Sequence, residues 1–278
     1  MNTAILLAVL AAALLHASWN AIIKFGGNKI TGMLLLTLVQ GMIGIVVALS
    51  RDFPHGQVWL WLFGSSVFHS CYKVFLAYAY EQGDLSRVYP IARGAAPMIV
   101  MVVGVLMLSD VMNVMEYIGI ILLGLGILLM AHGVFASDES RRLVPLALGS
   151  AMATAGYTIV DGLGARVVGD TVTYVAWLFI FDALIFTPVV MFLRGTSVFR
   201  STRKDWMFGA IAAAGSYGAY AISVWAMTKA PIALVAALRE TSILFAVLIG
   251  WLFFGDKINK TKIISVLVIV TGVMVTRL

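Results

Sequence analysis

Residues 239–259 read RETSILFAVLIGWLFFGDKIN, and residues 93–113 read RGAAPMIVMVVGVLMLSDVMN. Arg93 and Arg239, Gly104 and Gly250, Asp110 and Asp256, and Asn113 and Asn259 are separated by one interval, 239 − 93 = 256 − 110 = 146. Each copy is an apolar, helix-length run that begins at an arginine, ends at an aspartate, turns, and enters a further apolar run. A fixed long-range offset that carries polar as well as apolar identities marks internal duplication. In an apolar chain it marks a membrane protein built from repeats.

The remaining composition agrees. Of 278 residues 62% are hydrophobic and 12% charged, with a mean hydropathy of +1.01, whereas roughly a quarter of a soluble domain is charged. At about 20 residues per helical span, about ten spans use nearly the whole chain and leave no room for a soluble domain. The single cysteine, Cys71, excludes an intramolecular disulfide, and no Cys/His cluster has metal-ligand spacing. No metal or cofactor is expected. The opening run continues through His16, Trp19 and Asn20 without a basic leader, so it reads as an uncleaved first helix rather than a signal peptide. The net charge of +6 sits mostly in short loops, which points to lipid headgroups and topology rather than nucleic acid.

Apolar runs bounded by Gly, Asn, Asp, Pro or charge predict helices over about 3–24, 30–50, 57–81, 85–108 and 113–135, then 143–165, 171–193, 205–228, 232–254 and 259–277. Residues 1–136 and 143–278 form the two repeats, joined by a polar linker at 137–142. Further echoes tie them: Phe63-Gly64 and Tyr72 match Phe208-Gly209 and Tyr217 (217 − 72 = 145), while Ala17 and Trp19 fall opposite Ala155 and Tyr157 (155 − 17 = 138). Five helices is an odd number, so the second repeat enters the membrane from the opposite side and the repeats are inverted. The expected fold is an all-α integral membrane protein of ten transmembrane helices around a central cavity.

Loops 1–2, 3–4, 5–6, 7–8 and 9–10 carry Lys24, Lys29, Arg87, Arg141, Arg142, Arg194, Arg200, Arg203, Lys204, Lys257, Lys260 and Lys262. The opposite side carries Arg51, Arg166, Lys229 and Arg277. Twelve against four places the first side in the cytoplasm and both termini outside a cytoplasmic membrane.

A Lys, Arg or Asp at the centre of a membrane helix costs about 2.5–3.5 kcal/mol on insertion scales, so such residues face a cavity or a partner. In the first helix His16, Trp19, Asn20 and Lys24 share one face, and in the third His69, Tyr72, Lys73 and Tyr80 do the same. Lys73 falls opposite Gly218, and Asn20 opposite Thr158 with Asp161 nearby, so the scaffold repeats but its lining does not. An asymmetric lining is what orients an asymmetric solute. The fourth helix adds Tyr89, Pro90, Arg93 and Pro97, whose prolines free carbonyls that a neighbour or cavity must satisfy. Arg239 and Glu240 project about 100° apart in a regular helix and need separate partners. Asp182 is a further acid at mid-span.

Structural roles compete with each of these. Lys73 and Glu240 suit a buried ion pair, including one with each other; repeated Arg93 and Arg239 suit architecture; His16 suits a carbonyl bond and Lys24 snorkelling. Trp59, Trp61 and Trp206 suit the interfacial belt. Asp110 and Asp256 suit turn caps. Gly119, Gly124 and Gly126 suit close packing either within the chain or between protomers of a homodimer.

With Pro97–Gly126 and Ile243–Gly272 on the page, the chain resembles the drug/metabolite transporter superfamily, specifically its ten-helix EamA-like members: an apolar helix, a Gly-acid turn, and a helix with a late glycine. The resemblance covers essentially the full length. It departs at Asp110 and Asp256, where the family's usual glutamate is aspartate, and at Ser109, where its glycine precedes the acid. It implies a basket with helices 1–4 and 6–9 around the cavity and 5 and 10 at the periphery, performing secondary transport of small metabolites without ATP. The run His16–Lys24 also looks similar to a bacterial subset associated with phosphonate use.

The expectation is a transporter, not an enzyme, for a small anionic or zwitterionic metabolite such as an amino acid or aminophosphonate. Lys73 with Arg93 or Arg239 would hold the anion, with His16 and Asn20 beside it. Trp19, Tyr72, Tyr157 and Trp225 would form walls. Asp161, Asp182 or Glu240 would bind an amine or carry a coupling proton. Rival readings are an exporter of cationic or aromatic compounds, a lipid flippase holding phosphate at Arg93 and Arg239, a non-transporting sensor, and a membrane enzyme, for which no catalytic spacing is legible.

Overall fold

Helices in the computed structural model start and stop where local chemistry satisfies their end groups. The structure describes residues 1–24, 29–82, 85–130, 142–255 and 260–278. The expectations for the 137–141 linker, Asp256, Lys257 and Asn259 lie outside the described residues, as do those for the side chains of Lys24, Tyr80, Arg87, Tyr89 and Pro90. The elements are α1 (Thr3–Lys24), α2 (Lys29–Ala48), α3 (Val58–Gln82), α4 (Leu85–Met107), α5 (Val114–Met130), α6 (Leu143–Val168), α7 (Thr171–Arg194), α8 (Arg203–Met227), α9 (Ile232–Arg239), α10 (Ser242–Phe254) and α11 (Lys260–Val275). A short 3₁₀ turn, Thr196–Phe199, follows α7.

Three starts carry their own caps. Asn113 and Glu116 exchange side-chain and backbone bonds of 3.0 and 2.8 Å at the start of α5. Thr202 and Asp205 form a capping box on α8, and the Asp170 carboxylate accepts from Val172 N–H to open α7. Gly169, at φ 75°, adopts the left-handed conformation that lets α6 stop and α7 begin one residue later.

Among the described residues six segments are long and apolar enough to cross a membrane: Thr3–Ile22, Ile30–Ala48, Leu143–Val168, Thr171–Arg194, Arg203–Met227 and Ile232–Phe253. The last corrects the sequence reading, which ran one regular helix over 232–254. The span is broken between α9 and α10, where Ile243 N–H bonds Glu240 C=O at 3.0 Å and Leu244 N–H bonds Thr241 C=O at 2.9 Å. These are i→i+3 bonds, tighter than an α-helix, and Thr241 Oγ1 donates to Leu238 C=O at 2.7 Å. The regular-helix angle expected between Arg239 and Glu240 does not apply at this turn.

The two halves interleave. α1 packs on α8, α2 on α7, α3 on α6, α4 on α9 and α5 on α11. Exchanging each element of one half for its counterpart in the other turns this set of pairs into itself: α1 on α8 becomes α6 on α3, and α4 on α6 becomes α9 on α1, also observed. That is the contact pattern of a two-fold relation between repeats. The main apolar core wraps α9, all eight of whose residues are buried, with Val9, Val100, Ile120, Leu123, Ile127, Ala155 and Ile269 around it.

The expected small-residue packing falls inside the chain. A Cβ on Gly119 would come within 2.8 Å of the Gly272 carbonyl, and one on Gly126 would meet Ile269 Cγ1 at 2.7 Å, so α5 and α11 approach backbone to backbone. Gly124 lies against Met98. These glycines serve an intrachain seam and give no support to a protomer interface.

Candidate functional site

Among the described residues, three buried polar centres lie along the interior and a fourth, part-buried one lies at its end. The first joins α4 to the α9–α10 break: Arg93 Nε donates to Glu240 Oε2 at 2.9 Å. Arg239, 7% exposed, sits with its guanidinium 5.3 Å from the Tyr220 ring centroid. Among the described residues Arg239 makes no hydrogen bond or ion pair. Glu240 lies within electrostatic reach of both arginines, so one carboxylate serves two guanidiniums and the group carries a net positive charge.

A narrow recess of about 10 Å³ lies at this point, lined by Ala96, Pro97, Val100, Thr154, Thr158, Ala236, Arg239 and Glu240. A cavity of that size holds about one water molecule, so in this conformation the recess is closed to a metabolite. His16 lies within electrostatic reach of Arg93 and Arg239 and meets Trp19 edge to face, ring centroids 5.0 Å apart. His16 Nε2 and Trp19 Nε1 are buried without a hydrogen-bond partner. Trp Nε1 is a donor only, and a guanidinium has donors only. The unsatisfied groups of this region therefore favour an acceptor-rich partner. Asn20 is partly engaged, its amide donating to His16 C=O at 2.8 Å.

The second centre joins α2, α3 and α7. Lys73 Nζ donates to Asp182 Oδ2 at 2.5 Å and to Thr37 Oγ1 at 2.8 Å, and lies 4.6 Å from the Phe186 ring centroid. Lys73 and Glu240, considered as partners of one another from sequence, each pair elsewhere. α3 packs on α7 and α4 on α9, which decides both partners. The deep lysine expected to clamp the anion is already neutralised.

The third centre is built on Asp161, which is 0% exposed. Its Oδ1 accepts from Tyr174 Oη at 2.9 Å; its Oδ2 accepts from Tyr220 Oη and lies 3.2 Å from His69 Nε2. His69 is stacked on Tyr157 at 4.0 Å and 18°, with Tyr72 and Tyr220 edge-on at 5.7 and 5.4 Å. Tyr72 and Tyr157 thus form a wall, but one around His69. Trp225, expected in that wall, is 38% exposed.

The fourth centre was missed. Arg166, counted from sequence as a loop cation, donates Nη1 to Asp110 Oδ1 at 2.7 Å and Nη2 to Asp110 Oδ2 at 3.1 Å. It also donates to the carbonyls of Met227 and Ala230 at 2.9 and 3.1 Å, while Ile232 N–H donates to Asp110 Oδ2 at 2.9 Å. Asp110 therefore caps α9, in the other repeat, and α5 is capped by Asn113; the expected local cap at Asp110 is corrected. Arg166 lies two turns, about 12 Å, beyond Thr158 along α6, so this clamp joins the halves past one end of the recess.

Taken together, the structure is a helical membrane-type scaffold of two interleaved halves with a polar interior and a small recess between them. The EamA-like transporter family model matches residues 3–131 and again 142–278. The chain belongs to the EamA-like transporter family. That family comprises membrane transporters of the drug/metabolite type, not enzymes, and its two matches coincide with the two halves. A solved crystal structure is similar at 17% identity and a TM-score of 0.76, covering 99% of this chain and 96% of that chain. At that identity the likeness shows the fold alone. No curated protein sequence matches the chain.

Proposed function

We propose that the protein is a secondary active transporter of a small anionic or zwitterionic metabolite, of the amino acid or aminophosphonate kind. In this reading ten helices cross the cytoplasmic membrane as two inverted repeats, both termini lie outside, and one repeat rocks against the other to expose the recess alternately. The observation that carries it is Arg239: a buried guanidinium at the recess that makes no hydrogen bond or ion pair among the described residues and shares the Glu240 charge with Arg93, to which that carboxylate is bonded. An unpaired buried charge is costly unless a partner arrives. A carboxylate or phosphonate is the partner whose geometry matches a guanidinium fork.

Arg239 replaces Lys73 as the principal anion ligand, with Thr154, Thr158, His16 and Trp19 as further donors. The Asp110–Arg166 clamp, on the outer side by the loop-charge topology, acts as the gate that is closed here. A thermal-shift screen of the detergent-purified protein against anionic, zwitterionic and cationic metabolites tests the reading, because a ligand of the folded state raises its apparent stability. Stabilisation by L-glutamate, L-alanine or 2-aminoethylphosphonate that disappears in Arg239→Gln supports it. Stabilisation by cations alone, unchanged in that variant, would make a cation exporter the better account.

A further inference from the structure

The interior charges of the described residues sum to zero with both buried imidazoles, His16 and His69, neutral; His16 lies against Arg93 and Arg239, whose charges oppose a proton there. Lys73 and Asp182 cancel, as do Arg93 and Glu240. That leaves Arg239, positive, and Asp161, negative, one tyrosine apart: Tyr220 offers its ring to the Arg239 guanidinium and its hydroxyl to Asp161. With His69 neutral the interior sums to zero. An anion at Arg239 breaks that balance by one negative charge, in a medium where an uncompensated charge is expensive.

From this geometry we infer that His69 is the coupling site: it takes up one proton as the anion binds, so that anion and proton cross together and the interior stays neutral. The inference rests on the anion site at Arg239. The proton completes an imidazolium whose Nε2–H faces Asp161 Oδ2 and whose Nδ1 carries the other proton. Imidazole is the side chain whose ordinary titration range lies nearest neutral pH.

The surroundings suit the charged ring. From α6, Tyr157 stacks on it and Asp161 faces it; Tyr72 approaches from α3 and Tyr220 from α8. Tyrosine faces attract a cation. The other charged or titratable groups around it are already engaged: Tyr174 of α7 donates to Asp161, Lys73 and Asp182 bond each other, and Arg93 bonds Glu240. Of the three acids considered for coupling, Asp182 and Glu240 each neutralise a cation, and protonating either would strand it. Only the His69–Asp161 pair accepts a proton without doing so. An inward proton gradient would then drive uptake of the anion.

The test counts protons. Purified transporter in lightly buffered detergent at pH 8, where carboxylate oxygens are ionised, is titrated with L-glutamate, L-alanine and 2-aminoethylphosphonate while an indicator dye follows pH. Glutamate, net negative, serves for the count because its own groups do not titrate near neutrality; alanine, a zwitterion of no net charge, is the control and should bind without proton uptake. The expected result is about one proton taken up per glutamate bound, with affinity for glutamate falling as pH rises. In His69→Gln, whose amide still donates to Asp161, glutamate binding is weakened to the level the wild-type protein shows at high pH, and uptake and pH dependence disappear. Binding of glutamate by the wild-type protein without proton uptake overturns the coupling site and leaves the anion site standing. Failure of all three compounds to bind overturns both. If His69→Gln does not fold, the wild-type stoichiometry decides, and Asp161→Asn, expected to lose uptake, locates the pair.

Discussion

Arg93 and Glu240 are bonded at 2.9 Å, although Arg93 belongs to the first repeat and Glu240 follows its repeat counterpart, Arg239. The position matching Glu240 in the first repeat, 240 − 146 = 94, is Gly94. Duplication thus supplied two arginines, and a single added acid neutralises one of them. The unequal charge state of the two repeated arginines follows from this one difference.

Glu240 is expected to be stabilising because its removal leaves two buried guanidiniums without an acid. Glu240→Gln should lower stability by about 3–5 kcal/mol, the usual effect of breaking a buried pair. Arg93→Met/Glu240→Leu together should recover most of that loss. Thermal unfolding of the singles and the double in detergent checks this; a double variant no better than Glu240→Gln would contradict it.

Lys73 should behave as a structural residue. Lys73→Met is expected to destabilise by about 3–5 kcal/mol through the stranded Asp182 carboxylate, and Lys73→Met/Asp182→Leu to restore stability. Neither should abolish ligand-induced stabilisation in the thermal-shift screen. Complete loss of that stabilisation in a folded double variant would return Lys73 to the binding site.

The helix boundaries and the repeat were legible because apolar length, glycine and capping residues act locally: Asn113 with Glu116 and Thr202 with Asp205 are readable in the sequence and closed in space. The break after Arg239 was not, since Glu240-Thr241-Ser242 contains neither proline nor glycine, and the tight turn is held by Thr241 Oγ1 on Leu238 C=O. Partner choice was also hidden. Asp182 and Glu240 are equivalent from sequence, and only the packing of α3 on α7 and α4 on α9 assigns them to Lys73 and Arg93. Arg166 was misjudged for a related reason: counting loop charge treats every terminal cation as solvated, whereas this one makes four hydrogen bonds, two of them to Asp110 in the other half.

Arg166 and Asp110 should control access from one side. In a Cys71→Ser background with Thr158→Cys as reporter, Asp110→Asn is expected to raise the rate of labelling by a membrane-impermeant thiol reagent several-fold from the extracytoplasmic face. It removes the charge from a bidentate pair of the strong, charge-assisted kind. An unchanged rate would make the clamp purely structural.

The α5–α11 seam offers a packing test. Gly272→Val puts side-chain carbon against the Gly119 carbonyl, which lies 2.8 Å from an added Cβ, and against Leu123 N at 2.9 Å. Overpacking of this sort typically costs about 1–3 kcal/mol, and between membrane helices close approach is itself a main source of association. A fall in apparent melting temperature is expected, without loss of the solute-induced increment. Unaltered stability would show that the seam yields.

The central claim is that Arg239 binds the anionic group of the solute. The most direct measurement is equilibrium binding and proteoliposome uptake of L-glutamate, L-alanine and 2-aminoethylphosphonate by the wild-type protein, Arg239→Gln and Arg239→Lys. Removing one partner of a buried, hydrogen-bonded charge pair costs at least about 2 kcal/mol, or about 30-fold in affinity. The account predicts a loss of that size or more in Arg239→Gln, with partial retention in Arg239→Lys. Wild-type affinity and flux in a correctly folded Arg239→Gln would contradict it.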